Sequence, residues 1–255
     1  MASLTRRLEI SVWHNNLQSP DRVTDFVKRY SCKGISVVPE VFTLFLSSFF
    51  KGKFSQPLGV MLNYPRGGSA GMHKFTNLPA ELDDIGFYDL MLKESTIVSD
   101  YKKELKLSSD MVRSFNKASN LRITLDPKRP EKANRALLEA IKGSAISAIN
   151  VGTLTETSFD YVAMVKLVRE YSSLPIKLTG QITPEVVELI APVDSNIFFG
   201  VSYDQAMVLQ KYEDDISNRK FFSGIKPSAK VDIETPVSET PVESVERSNP
   251  ETQPE

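Results

Sequence analysis

The sequence predicts an α/β protein, a parallel (β/α)8 TIM barrel with a disordered acidic, proline-rich C-terminal tail. Three observations carry that expectation. Eight strand-like apolar runs lie between Leu8 and Val201, each followed by something helical, with a new run about every 25 residues. Leu174–Ser202 holds a strand, a short helix and a strand in succession, the unit that makes neighbouring strands parallel. Residues 1–224 just meet the roughly 200 to 250 residues that eight such units need. An open doubly wound sheet is the alternative, but no glycine-rich dinucleotide turn follows the first run.

The elements follow in order. Leu8–Trp13 reads as the first strand, and Ser19-Pro20-Asp21 starts a helix over Pro20–Tyr30 with Val23, Phe26 and Val27 on one face. Gly34–Val38 is the second strand. The Phe-rich segment Pro39–Phe50 reads as a core helix too short to cross a bilayer. Pro57–Leu62 is the third strand, followed by the loop NYPRGGSAG and a short helix over Pro79–Asp84. Gly86–Leu92 is the fourth strand, and Val98–Lys117 contains a helix with an expected break near Leu107-Ser108. Leu121–Leu125, helix Arg129–Lys142, Ala145–Val151 and helix Ser158–Tyr171 supply units five and six. Pro175–Thr179, a helix capped by Thr183 with Pro184 and Glu185 in its first turn, and Asn196–Val201 supply seven and eight. A last helix runs from Tyr203 to about Arg219.

Residues 225–255 are expected to be a disordered tail. From Lys226 they carry seven acids, three bases, five prolines and the repeat ETPV at 234–237 and 239–242. A solvated tether explains this, and a partner-binding tail is the sharper alternative. The whole chain has a net charge of −1, which argues against a nucleic-acid or anionic-membrane surface. One cysteine, Cys32, precludes an internal disulfide, and two histidines without a Cys/His cluster argue against a metal site. No cofactor is expected. The N-terminus lacks the apolar core of a secretory signal, so the expectation is a cytoplasmic protein.

Alternation along the strands then sorts the polar residues. Ile176 and Leu178 share one face of the seventh strand, Lys177 and Thr179 the other. With helices over the apolar face, Lys177 points into the barrel, where burial favours a neutral, reactive amine. The alternative is a lysine at a strand end reaching water. The same rule gives a candidate inner face of Asp89, Lys93, Arg122, Asp126, Asn150, Lys177 and Thr179. Barrel interiors usually hold branched apolar side chains, so converging lysines and aspartates point to a site. A purely structural ion network is the other explanation. His14 could reach the same mouth. The loop PRGGSAG could cover a ligand but lacks the lysine-serine ending of a P-loop.

With the strands placed, the chain resembles deoxyribose-phosphate aldolase, a class I aldolase on a (β/α)8 barrel, over roughly Leu8–Gln210. VWHNNLQSP at 12–20 is similar to the family's first strand and following loop, and ISVVPEVF at 35–42 to its second strand with a V-N-P turn. LNYPRGGS at 62–69 resembles the G-F-P-x-G loop, and YDLMLKES at 88–95 the fourth-strand I-D-x-V-x-N. IKLTGQIT at 176–183 resembles V-K-x-S-G-G-I, and FFGVS at 198–202 x-I-G-T-S. The ordered series carries the resemblance.

The resemblance implies that Asp89 and Lys177 shuttle protons and that a small phosphorylated sugar or aldehyde is the substrate. It places the phosphate at backbone amides around Gly180, Gln181, Gly200 and Ser202. Arg122 and Asn150, from the inner face, are the other candidate substrate-binding residues. At the family's Schiff-base position on strand six this chain has Asn150, which cannot form an imine, and Ala145–Thr155 contains no lysine. Lys93 or Lys177 would then have to be the nucleophile in a class I aldolase-like lyase. The alternative is a catalytically inactive aldolase-like barrel, a pseudoenzyme that binds or scaffolds. An isomerase or another lyase with Asp89 or Asp126 as general base is a third class. Assembly into a homo-oligomer stays open.

Overall fold

Eight parallel strands close on themselves in chain order, β1 pairing with both β2 and β8. The computed structural model describes residues 3–13, 18–39, 41–42, 45, 56–62, 85–115, 120–153 and 158–224. The strands are β1 Leu8–Val12, β2 Gly34–Val37, β3 Leu58–Leu62, β4 Ile85–Leu90, β5 Asn120–Leu125, β6 Ile146–Val151, β7 Ile176–Thr179 and β8 Ile197–Val201. The helices are α1 Pro20–Tyr30, α2 Val98–Phe115, α3 Glu131–Ile141, α4 Tyr161–Arg169, α5 Pro184–Ile190 and α6 Tyr203–Gly224. This is the expected TIM barrel. Residues Met1–Ser217 form one unit and Asn218–Glu255 a second. The tail expected from residue 225 on, most of the helix expected over Pro39–Phe50, the loop NYPRGGSAG, the helix over Pro79–Asp84 and His14 lie outside the described residues.

Local sequence sets the element ends. α1 starts with Pro20 after Ser19, and it stops at Ser31, whose φ of 52° is left-handed. Ser31 and Cys32 N–H donate to Lys28 and Val27 carbonyls, closing the last turn and aiming the chain at β2. α4 is capped by Asp160, whose carboxylate accepts from the Ala163 N–H at 2.9 Å. The break expected near Leu107-Ser108 does not occur: α2 runs unbroken to Phe115, with Ser108 buried. Packing against the sheet overrides the modest helix propensity of two serines.

The apolar core lies between the barrel's outer face and its helices. Leu8, Ile10, Val12, Ile35, Val37, Val60, Leu90, Ile123, Leu125, Ile149, Val151, Ile176, Leu178, Phe199 and Val201 all point outward and are buried. The inner face belongs to the alternate residues, and these are mostly polar or glycine. That assignment follows the register, which pairs Glu9 with Gly34 and Gly200, Asp89 with Arg122, Thr124 with Asn150, and Asn150 with Lys177. No described helix is long and apolar enough to cross a membrane.

Candidate functional site

Lys177 crosses the barrel from β7. Its Nζ donates to Asp89 Oδ2 on β4 at 2.7 Å and lies 2.5 Å from Glu9 Oε1 on β1. It also donates to Ser36 Oγ at 3.3 Å, and Ser36 in turn contacts Ser11 Oγ at 3.0 Å. Gly200 makes the crossing feasible, because a Cβ there would overlap Lys177 Cε and press on Thr179 Oγ1 at 2.7 Å. Arg122 from β5 completes the set. Its Nη1 donates to Glu9 Oε2 at 2.7 Å and stands 3.8 Å from Asp89 Oδ1. Two cations and two carboxylates thus cancel inside the ring. Lys177 is 1 % exposed, and Glu9 and Asp89 are 0 % exposed.

Electrostatics favour the charged forms of Glu9 and Arg122. Burial alone would raise the Glu9 carboxyl, but Arg122 and Lys177 outweigh it and hold Glu9 down at about 2. Burial works against the Arg122 guanidinium, yet Glu9 and Asp89 raise it above its ordinary value. Arg122 also lies flat against an aromatic floor, 3.4 Å from the Phe87 ring centroid and 5.4 Å from that of Phe198. Gly59 leaves room for the Phe87 ring, which a Cβ would overlap.

Of the residues singled out in the sequence, Lys177, Asp89, Arg122, Asn150 and Thr179 share the inner face. Asn150 is buried and its Nδ2 donates to Thr124 Oγ1 at 3.3 Å. Lys93 does not join them. β4 ends at Leu90, so strand alternation does not extend to Lys93, which is exposed beside Glu94, Ser95, Asp100, Lys103 and Glu104. Asp126 serves its own turn, accepting from the Lys128 N–H at 2.9 Å. The Cys32 thiol is pushed up to about 12 by burial, which leaves it inert as a nucleophile.

At the turns expected to hold phosphate, the Ser202 amide is already bonded within the chain. Ser202 caps α6: its N–H donates to Gln205 Oε1 at 2.9 Å, and its Oγ accepts from the Gln205 N–H at 3.1 Å. Gln205 Nε2 then reaches the Gly180 carbonyl at 3.0 Å, tying the β7 turn to the β8 turn. Gln181 is exposed and its carbonyl accepts from the Tyr161 hydroxyl. Gly200 lies beneath Lys177. Among the described residues no group of three or more His, Cys, Asp or Glu side chains could hold a metal ion.

Three participants escaped the sequence reading. Glu9 alternates with Leu8 and Ile10, so the rule applied to the later strands would have turned it inward. Ser36 follows from the same rule on β2. Gln205 stands three residues after Ser202, the spacing of a capping box.

No family model matches the sequence, and a comparison with curated proteins finds no match. Among solved structures, the chain is similar to a tetrameric deoxyribose phosphate aldolase from Aeropyrum pernix, with a TM-score of 0.61 and 15% identity over 82% of this chain and 91% of that one. The aldolase QR15 gives a TM-score of 0.65 at 14% identity, covering 87% and 99%. A thiamine phosphate pyrophosphorylase from Pyrococcus furiosus gives 0.53 at 7%, covering 84% and 98%. The chain therefore has a TIM-barrel fold that structurally resembles deoxyribose-phosphate aldolases.

Proposed function

We propose that this chain is an aldolase-type barrel that binds a small molecule without imine catalysis. The observation behind this reading is the clamp on Lys177, whose amine lies 2.5 and 2.7 Å from two buried carboxylates. An amine attacks a carbonyl through its free lone pair. Two carboxylates in contact with the Lys177 nitrogen occupy the approach to it. Lys177 is the one buried lysine among the described residues, and strand six offers Asn150 where an imine would require an amine. The test is borohydride trapping of the full chain with acetaldehyde and with deoxyribose 5-phosphate, read by intact mass. The expected mass is unchanged, and a reduced adduct mapped to Lys177 overturns the reading.

One contact favours a second reading, a class I aldolase-like lyase acting on a small phosphorylated sugar or aldehyde. Asp89 and Lys177, the acid and amine that the resemblance assigns to proton transfer, touch at 2.7 Å. A carboxylate and an ammonium in contact can exchange a proton with a substrate held above them. Release of acetaldehyde from deoxyribose 5-phosphate, abolished in Asp89→Asn, would establish that reading in place of the first.

A further inference from the structure

We propose that one copy of this chain docks on the next through two helix faces of opposite charge, the outer stripe of α2 meeting that of α6. On α2, Lys102, Lys106 and Arg113 lie on one side of the helix and are exposed. On α6, Asp204, Val208 and Asp215 occupy the same three steps and are exposed as well. Each set spans eleven residue steps, about 16 Å of helix. Among the described residues none of these five charges has an ion-pair partner. On α3, by contrast, Arg135 is matched by Glu131 and Glu170, and Lys142 by Glu139. The Tyr212 hydroxyl donates to Glu188, which sets α5 beside α6 and adds Glu188 and the exposed Leu189 to the acidic face.

The two faces cannot satisfy each other within one chain. α2 follows β4 and α6 follows β8, so they stand half a ring apart. Lys102 and Lys106 repel each other at i,i+4, and an anionic partner relieves that repulsion. A stripe of one sign repels its own copy, so neither stripe pairs with itself across a two-fold axis. A two-fold pair that used both stripes would need them side by side. What remains is a heterologous contact repeated from copy to copy, and with the faces on opposite sides it extends rather than closes. Lys211 is also exposed on the acidic face, seven residues after Asp204. With the two helices set side by side in one direction, that step meets Ser109, while Lys102 and Arg113 meet Asp204 and Asp215. Lys106 then lays its aliphatic stem on Val208, which is 58 % exposed. Asp110 is exposed off this stripe, on the side that carries Lys103.

The experiment is sedimentation velocity on the full chain over a concentration series, at low and at high salt. At low salt the average mass should grow with concentration past that of a dimer, and high salt should return it to the monomer. Lys102→Glu with Lys106→Glu gives a chain with two acidic faces, and Asp204→Lys with Asp215→Lys gives one with two basic faces. Each alone should associate at least tenfold more weakly than the unaltered chain. Mixed in equal amounts the two should assemble again, because each offers the sign that the other lacks. Should a variant fail to fold, the concentration and salt series on the unaltered chain decides. A monomer at every concentration in low salt, a dimer that does not grow, association indifferent to salt, or a mixture of folded variants that stays monomeric overturns the inference. So does a monomer retained on heparin through Lys102 and Lys106, which would give the basic stripe a different partner.

Discussion

Two arginine–carboxylate pairs in this molecule have the same length and different surroundings. Arg122 meets Glu9 at 2.7 Å inside the ring, with side chains 12% and 1% exposed. Arg135 on α3 meets Glu170 at 2.7 Å on the surface, with side chains 39% and 53% exposed. Distance alone ranks them equal. In water the outer pair replaces hydration that either partner could regain, and dissolved salt screens it. The inner pair has no water to return to, so each charge depends on its neighbours being present. The inner set therefore fixes which side chains can coexist in the barrel, while the outer set adorns a helix that would form without it.

Breaking the inner set on one side gives the largest effect. Lys177→Met leaves Glu9 and Asp89 sharing Arg122 alone, and removing one partner of a buried pair costs about 3–5 kcal/mol. Urea unfolding monitored by circular dichroism should show that loss. Adding Asp89→Asn to Lys177→Met removes the excess negative charge, so the double variant should be more stable than the single one. A double variant less stable than the single one would mean that the two residues contribute independently and that the ring is not one electrostatic unit.

Acid sharpens the comparison next. The folded-state value of Glu9, about 2, lies below its ordinary 4.5, so the folded state binds this proton more weakly than the unfolded chain. The resulting stability is fully present above pH 4.5 and is lost as pH falls from 4.5 toward 2. The shift corresponds to on the order of 3 kcal/mol. Glu9→Gln should start less stable at neutral pH and lose less between those limits. Equal acid losses in the two proteins would show that Glu9 is not the group responsible.

The two regions were also unequally legible in the sequence. Strand alternation placed Asp89, Arg122, Asn150 and Lys177 on one face because that rule depends only on local backbone geometry. It failed at Lys93 because it was carried past Leu90, where the strand ends. It was never applied to Glu9, whose strand reads as an apolar run with one charge. That Glu9 would meet Arg122, 113 residues away, is not a local property. It depends on the ring closing and on register shifts at Leu58/Gly59 and Leu121/Arg122. The amide cap at Ser202 was legible as S-x-x-Q, but the reach of Gln205 to Gly180 requires β7 and β8 to be neighbours.

Removing the outer pair gives the smallest effect and tests the contrast from the other side. Arg135 contacts three groups, Glu131 Oε1 at 2.6 Å, Glu170 Oε2 at 2.7 Å and the Tyr171 hydroxyl at 3.2 Å. Counted by hydrogen bonds among the described residues it outranks Arg122, which makes one, to Glu9, so a hydrogen-bond count predicts that Arg135→Ala is the more damaging change. Exposure predicts the reverse, because each partner regains water when the guanidinium leaves, and alanine is the best helix former at that position. The urea midpoint of Arg135→Ala should therefore stay close to that of the unaltered chain, and any small difference should vanish at high salt. A loss comparable to that of Lys177→Met, persisting in salt, would mean that burial does not separate the two ion sets.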